Sequence, residues 1–176
     1  METMKKWIAL IITSLPFIAF VVMVSLKSFD IINEGILVNS PYNFDRLAVR
    51  RVQLALERYM PKYFPNGPFS VKDGLAIAAV ESKFDKYAIG TKGEEGIFQI
   101  YKADKILRSM HHQDDNIFNI QTNTEAFCFE LKQKFDKYHD FFKTIIAYNG
   151  APPKNNFSRN NPYWKKFIKI RKDLGD

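Results

Sequence analysis

Residues 70–100 leave this chain few ways to fold. Ser70 and Asp73 stand three residues apart ahead of an apolar run, a capping-box pattern, so a helix is predicted to start at Val71. Leu75, Ile77, Ala78, Val80 and Phe84 give that helix a broad apolar side. Glu81 falls near its C-terminal end, where the negative helix pole and apolar neighbours both disfavour a carboxylate. Such a carboxyl keeps its proton towards neutral pH, and a proton is what the leaving oxygen of a glycosidic bond needs as the bond stretches. A lone Glu closing a helix is more often an ordinary solvated residue. Here Ser82 follows it, Phe84 can anchor the chain beneath it, and Gly90, Gly93 and Gly96 punctuate a loop leading into Ile97-Phe98-Gln99-Ile100. Glycines let backbone pass close to the acid, and Gln99 offers both a donor and an acceptor to a sugar's acetamido group.

Upstream, residues 7–26 (WIALIITSLPFIAFVVMVSL) contain no charged side chain. Roughly 20 apolar residues in a helix cross the hydrocarbon core of a bilayer. The segment is therefore predicted to be a transmembrane anchor, kinked at Pro16. No small-x-small cleavage site follows before Lys27, which argues against a removed secretory signal. Lys5 and Lys6 precede the span and only Lys27 follows closely, favouring a cytoplasmic N-terminus and an extracytoplasmic domain. The expected organisation is an anchor over 1–26, a tether over 27–43 and one domain over 44–176 in a single-pass membrane protein. A net charge of +7 favours an acidic partner, such as nucleic acid, anionic lipid or an anionic wall polymer, without choosing among them.

The domain reads as mainly α, because no segment alternates with period two. Leu47, Val49, Val52, Leu54 and Leu56 mark a helix opened by Asn43 or Asp45 and stopped by Pro61. Arg46, Arg50 and Arg51 on it are spaced as a solvated face rather than a nucleic-acid groove. A helix is expected within residues 102–112, and a long amphipathic one over 120–138 carries Phe127, Leu131, Phe135 and Tyr138. Asp140 can cap a short helix ending at Tyr148-Asn149-Gly150. A loop over 152–161 precedes a last helix opened by Asn161 and Pro162, with Tyr163, Phe167 and Ile170 inward. His111, His112 and His139 show no metal-ligand spacing, Cys128 is single, and no phosphate-cradling loop or nucleophile elbow is present.

The stretch AIAAVESKFDKYAIGTKGEEGIFQI resembles the soluble lytic transglycosylase family, a branch of the lysozyme-like fold. That family's pattern is Glu-Ser-x-Phe, a small-residue loop, then Gly-Leu-Met-Gln-Ile, and the step from Glu81 to Gln99 matches it without a gap. Asn119 and Ile120 match the family's Asp-Pro-x-x-Asn-Ile-x-x-Gly helix opening, Ala147-Tyr148-Asn149 its Ala-Tyr-Asn, and Tyr163 the Tyr of its closing Tyr-Val helix. The chain departs from the pattern at Lys86 for Pro, Glu94 for Ala, Phe98 for Met, Asn123 for Gly, and Gly150-Ala151 for Ala-Gly.

The resemblance implies a lysozyme-like domain that acts as a peptidoglycan lytic transglycosylase, with Glu81 as the one catalytic residue. It implies substrate contacts from Ser82, Phe98, Gln99, Tyr148, Asn149 and Tyr163, with Tyr148 facing the acid across the cleft and Phe98 and Glu94 lining or bordering the groove. Peptidoglycan glycan strands are the expected partner, with the membrane through residues 7–26; no metal, organic cofactor or nucleic acid is implied. A goose-type lysozyme would hydrolyse the same bond, and an inverting hydrolase needs a second carboxylate ~6.5 to 9.5 Å from the acid. Asp85, Glu94 and Glu95 are the nearest in sequence. A third reading is a non-catalytic wall-binding subunit of an envelope-spanning machine, which would tolerate loss of Glu81.

Overall fold

The computed structural model describes residues 42–112, 114–150 and 157–174. The expected anchor over 7–26, most of the tether and residues 152–156 of the expected loop lie outside them. No helix among the described residues is long and apolar enough to cross a membrane.

Six helices and a two-stranded antiparallel sheet make up the described residues. Helix α1 (Arg46–Tyr63) opens at Asp45, whose side chain accepts from the Leu47 N–H at 2.9 Å. It runs through Pro61 rather than stopping there. Near a C-terminus a proline removes one hydrogen bond without breaking a long ladder, and the Phe64 N–H closes the end on the Met60 carbonyl at 2.8 Å. Val49, Val52 and Leu56 point inward, whereas Leu47 and Leu54 are exposed.

Helix α2 (Val71–Glu81) begins with the predicted capping box, the Ser70 N–H donating to Asp73 at 2.8 Å while the Asp73 N–H donates back to the Ser70 hydroxyl. It is buried along nearly its whole length, with α1 on one side and the last helix, α6 (Pro162–Asp173), on another. Close approach to α1 depends on Gly74, where a Cβ would lie 2.5 Å from a Leu56 methyl. Buried Asp73 also receives Arg171 from α6, which ties the start of α2 to that helix.

Strands β1 (Glu94–Glu95) and β2 (Ile100–Tyr101) pair with Glu94 opposite Tyr101, and Ile89 bridges to Glu95. Such short strands carry no readable alternation, so the sequence pattern shows only the glycines around them. Helix α3 (Ala103–Ser109) leads to α4 (Ile120–Tyr138), capped by the Asn119 side chain, which packs along α1 and α5. Helix α5 (Phe141–Tyr148) is capped by Asp140, and α6 (Pro162–Asp173) by Asn161 with Pro162 in its first turn. Phe98 stacks on Phe127 with ring centroids 4.1 Å apart, joining the glycine loop to α4. Cys128 is buried in the same core.

Candidate active site

Glu81 is the last residue of α2, and the chain turns away from it through Lys83 and Phe84, both with positive φ. Two consecutive side chains in the left-handed region need a fixed anchor. Buried Phe84 supplies it, packing edge-on against Phe44 with centroids 5.1 Å apart. No basic residue lies in the last turn of α2. Cations and donors come instead from one side of α6, where Tyr163 and Lys166 are neighbours at helical spacing. The Tyr163 hydroxyl donates to Glu81 Oε1 at 2.6 Å, and Lys166 Nζ donates to the Val80 carbonyl at 3.1 Å.

Burial is the largest influence on Glu81 and pushes its carboxyl up to about 7; Tyr163 and Lys166 pull it down, while Glu94 and Glu130 push it further up. Desolvation thus outweighs the hydrogen bond and the cation together. Burial also raises the Tyr163 phenol well above its ordinary value, so it stays a donor.

The glycine loop is built around two close approaches. At Gly90 a Cβ would lie 2.3 Å from Glu94 Oε2 and 2.7 Å from Gln99 Oε1. At Gly96, with φ of +77°, a Cβ would lie 2.3 Å from Asn123 Nδ2. Asn123, on α4 and fully buried, donates to the Glu95 and Ile117 carbonyls at 3.1 and 3.0 Å and accepts from the Phe98 N–H at 2.9 Å. One amide therefore fixes three segments of the loop region. The chain departs from the family pattern at this position, and the departure was the available signal that Asn123 does something particular to this chain.

A cavity of about 520 Å³ opens over Glu81, with Gln99, Tyr148 and Asn149 in its lining. Those four were expected there. Three other residues expected at the substrate do not line the cavity. Phe98 is 0 % exposed and stacked in the core, so its ring cannot meet a substrate. The Ser82 hydroxyl donates to the Ile97 carbonyl at 2.8 Å and ties the end of α2 to the loop rather than lining the cavity. Tyr163 is buried behind the acid, outside the lining. Two orientations also differ from expectation. Gln99 has φ of 51°, and its Nε2 donates to the Gly96 and Ala88 carbonyls at 2.9 and 3.2 Å, leaving its oxygen rather than both groups for a ligand. The Tyr148 hydroxyl donates to the Phe98 carbonyl at 2.7 Å, so the tyrosine on the acid is Tyr163.

The cavity is also lined by residues with no site signal in the sequence: Lys92 before β1, Tyr101 on β2, and Glu130 and Lys134 on α4. Glu94 lines it as expected, its Oε2 accepting from the Lys92 N–H at 2.9 Å. Glu130 pairs with Lys134 at 2.9 Å. Their only sequence signal is helical spacing beside Phe127 and Leu131, which marks an apolar side but not which polar row borders a cleft.

Compared with known proteins, the chain matches no curated protein and no solved structure. The model of one family, described as the Transglycosylase SLT domain, matches residues 72–171, a span that begins in the first turn of α2 and ends on α6 beyond Tyr163. That match takes in Glu81, the glycine loop, Asn123 and the tyrosine that holds the acid, and it covers more than half of the chain, which belongs to the transglycosylase SLT domain family.

Proposed function

We propose that this protein is a peptidoglycan lytic transglycosylase in which Glu81 is the single acid and base. The observation that supports it best is the half-buried Glu81 carboxyl at the cavity, held on Oε1 by Tyr163 and raised to about 7. With Oε1 engaged, Oε2 carries the proton to the oxygen joining N-acetylmuramic acid to N-acetylglucosamine. The resulting carboxylate then takes the proton of the muramyl 6-hydroxyl as that oxygen closes onto the anomeric carbon. The substrate's acetamido group assists, no water is consumed, and the product is a 1,6-anhydro sugar. Gln99 Oε1 supports the assignment by offering an acceptor for an acetamido N–H at the cavity.

Goose-type hydrolysis is the second reading, favoured by the presence of Glu94 and Glu130 beside the acid. Both are already engaged, with the Lys92 N–H and with Lys134, which suits carboxylates fixed in place more than a base poised over a water. The mass of the soluble fragments released from purified peptidoglycan separates the readings. The transglycosylase yields fragments lighter by one water than hydrolysis products. Hydrated fragments alone would replace it with the hydrolase, and no release at all would favour a wall-binding subunit. In the proposed setting residues 7–26 anchor the chain in a membrane and the domain faces the wall from the extracytoplasmic side, alone or within an envelope-spanning machine.

A further inference from the structure

The cavity over Glu81 does not stop at Tyr148. A second one, of about 290 Å³, shares Lys134 and Gly150 with it and is walled by Gln133, Lys137 and Tyr138 of α4 and by Ala147 of α5. Charge divides the two. Glu81, Glu94 and Glu130 line the first together with Lys92 and Lys134, whereas the second is lined by Lys134 and Lys137 and by no acidic residue. Lys134 stands at the junction, 2.9 Å from Glu130 and 5.9 Å from the centre of the Tyr148 ring. Its charge is met by Glu130, but an ammonium has three donors and keeps some for a ligand. Lys137, at the next helical step, is exposed, lies 5.2 Å from the Tyr138 ring centre, and is paired with no carboxylate among the described residues.

A glycan strand of peptidoglycan is neutral along its sugars and anionic along its side arms. Each muramyl residue carries a lactyl ether that continues into a short peptide with free carboxylates. When a muramyl ring lies against Glu81, the adjoining cavity reached past Lys134 and Gly150 is open to that arm. The cleft over Glu81 sets its carboxyl groups against two lysines and offers that arm little net attraction, whereas the cavity beside Tyr148 has lysines and no acid and attracts it. We propose that the cavity between α4 and α5 is a subsite for the carboxylate-bearing peptide arm of the muramyl residue, with Lys137 as the contact that selects it. The inference rests on the glycan-cleaving reading above. The short lactyl segment lies near Lys134, and the peptide beyond it reaches Lys137, one helical turn further on.

The test uses the full chain on soluble, uncrosslinked glycan strands that carry their peptides, and on the same strands stripped by an amidase, which leaves the lactyl carboxylate in place. Lys137→Gln is expected to raise KM on the peptide-bearing strands about five-fold, the scale of one partly exposed ion pair. Its kcat there, and both constants on stripped strands, are expected to stay at wild-type values. Lys137→Arg is expected to restore KM, and the preference for peptide-bearing strands to weaken as salt rises. An equal change on both substrates, or none on either, with a wild-type protein that cleaves both, would overturn the subsite and leave the function standing. A wild-type protein that cleaves neither would overturn the function, and the subsite with it.

Discussion

Glu81→Gln is expected to lower kcat on peptidoglycan by roughly two to four orders of magnitude, the usual contribution of a positioned proton donor and acceptor. Glutamine keeps the shape of the side chain and still accepts the Tyr163 hydroxyl that Glu81 Oε1 accepts at 2.6 Å. It can neither give a proton to the leaving oxygen nor take one afterwards. Thermal stability is expected to be unchanged or slightly higher, because a half-buried group whose ionisation is disfavoured is replaced by a neutral one of the same size. Glu94→Gln, in the same cavity, is the comparison and is expected to cost only a few-fold. A variant at Glu81 that lyses at the wild-type rate would end the enzymatic assignment, and a loss at Glu94 as large as at Glu81 would move it to a hydrolase.

The largest stability effect is expected at Asn123. Truncation to alanine removes one amide from the Phe98 N–H and from the Glu95 and Ile117 carbonyls at once. Each buried polar group left without a partner costs about 1 to 3 kcal/mol, so the loss of all three is expected to cost at least about 3 kcal/mol, read from urea unfolding. The space beside Gly96 would be left unfilled, since that glycine exists in close contact with the lost amide. Activity is expected to fall as well, through Gln99, which follows directly on the Phe98 N–H that Asn123 holds. A loss under about 1 kcal/mol would mean that water takes over the amide's role.

Sequence reasoning reached the parts of this site that are local. The capping box, the helix ending at Glu81 and the glycines of the loop depend on neighbours a few residues away, and each stands where the pattern predicts. What it missed depends on torsions and on distant elements. The positive φ of Gln99 turns its amide nitrogen onto the Gly96 and Ala88 carbonyls, and no propensity signals a left-handed glutamine. Phe98 sits in the position that the resemblance assigns to the groove, yet Phe127 across the core takes its ring. Tyr148 and Tyr163 are both aromatic residues near a helix end, and only the packing of α6 against α2 decides which hydroxyl reaches Glu81. Glu130 and Lys134 belong to an amphipathic helix whose period shows its buried side and not the row beside it that borders the cleft. Pro61 reads as a stop, and the helix passes it because only one bond is lost so near its end.

In the proposed mechanism Glu81 still carries its proton near neutral pH. Titration of the Glu81 carboxyl carbon by NMR, assigned by its absence in Glu81→Gln, measures that directly. With a folded-state value raised to about 7, the acid is protonated below that pH and is lost as a proton donor above it. A midpoint near 7 is the predicted result, and a midpoint in the ordinary carboxylate range near ~4.3 would contradict it.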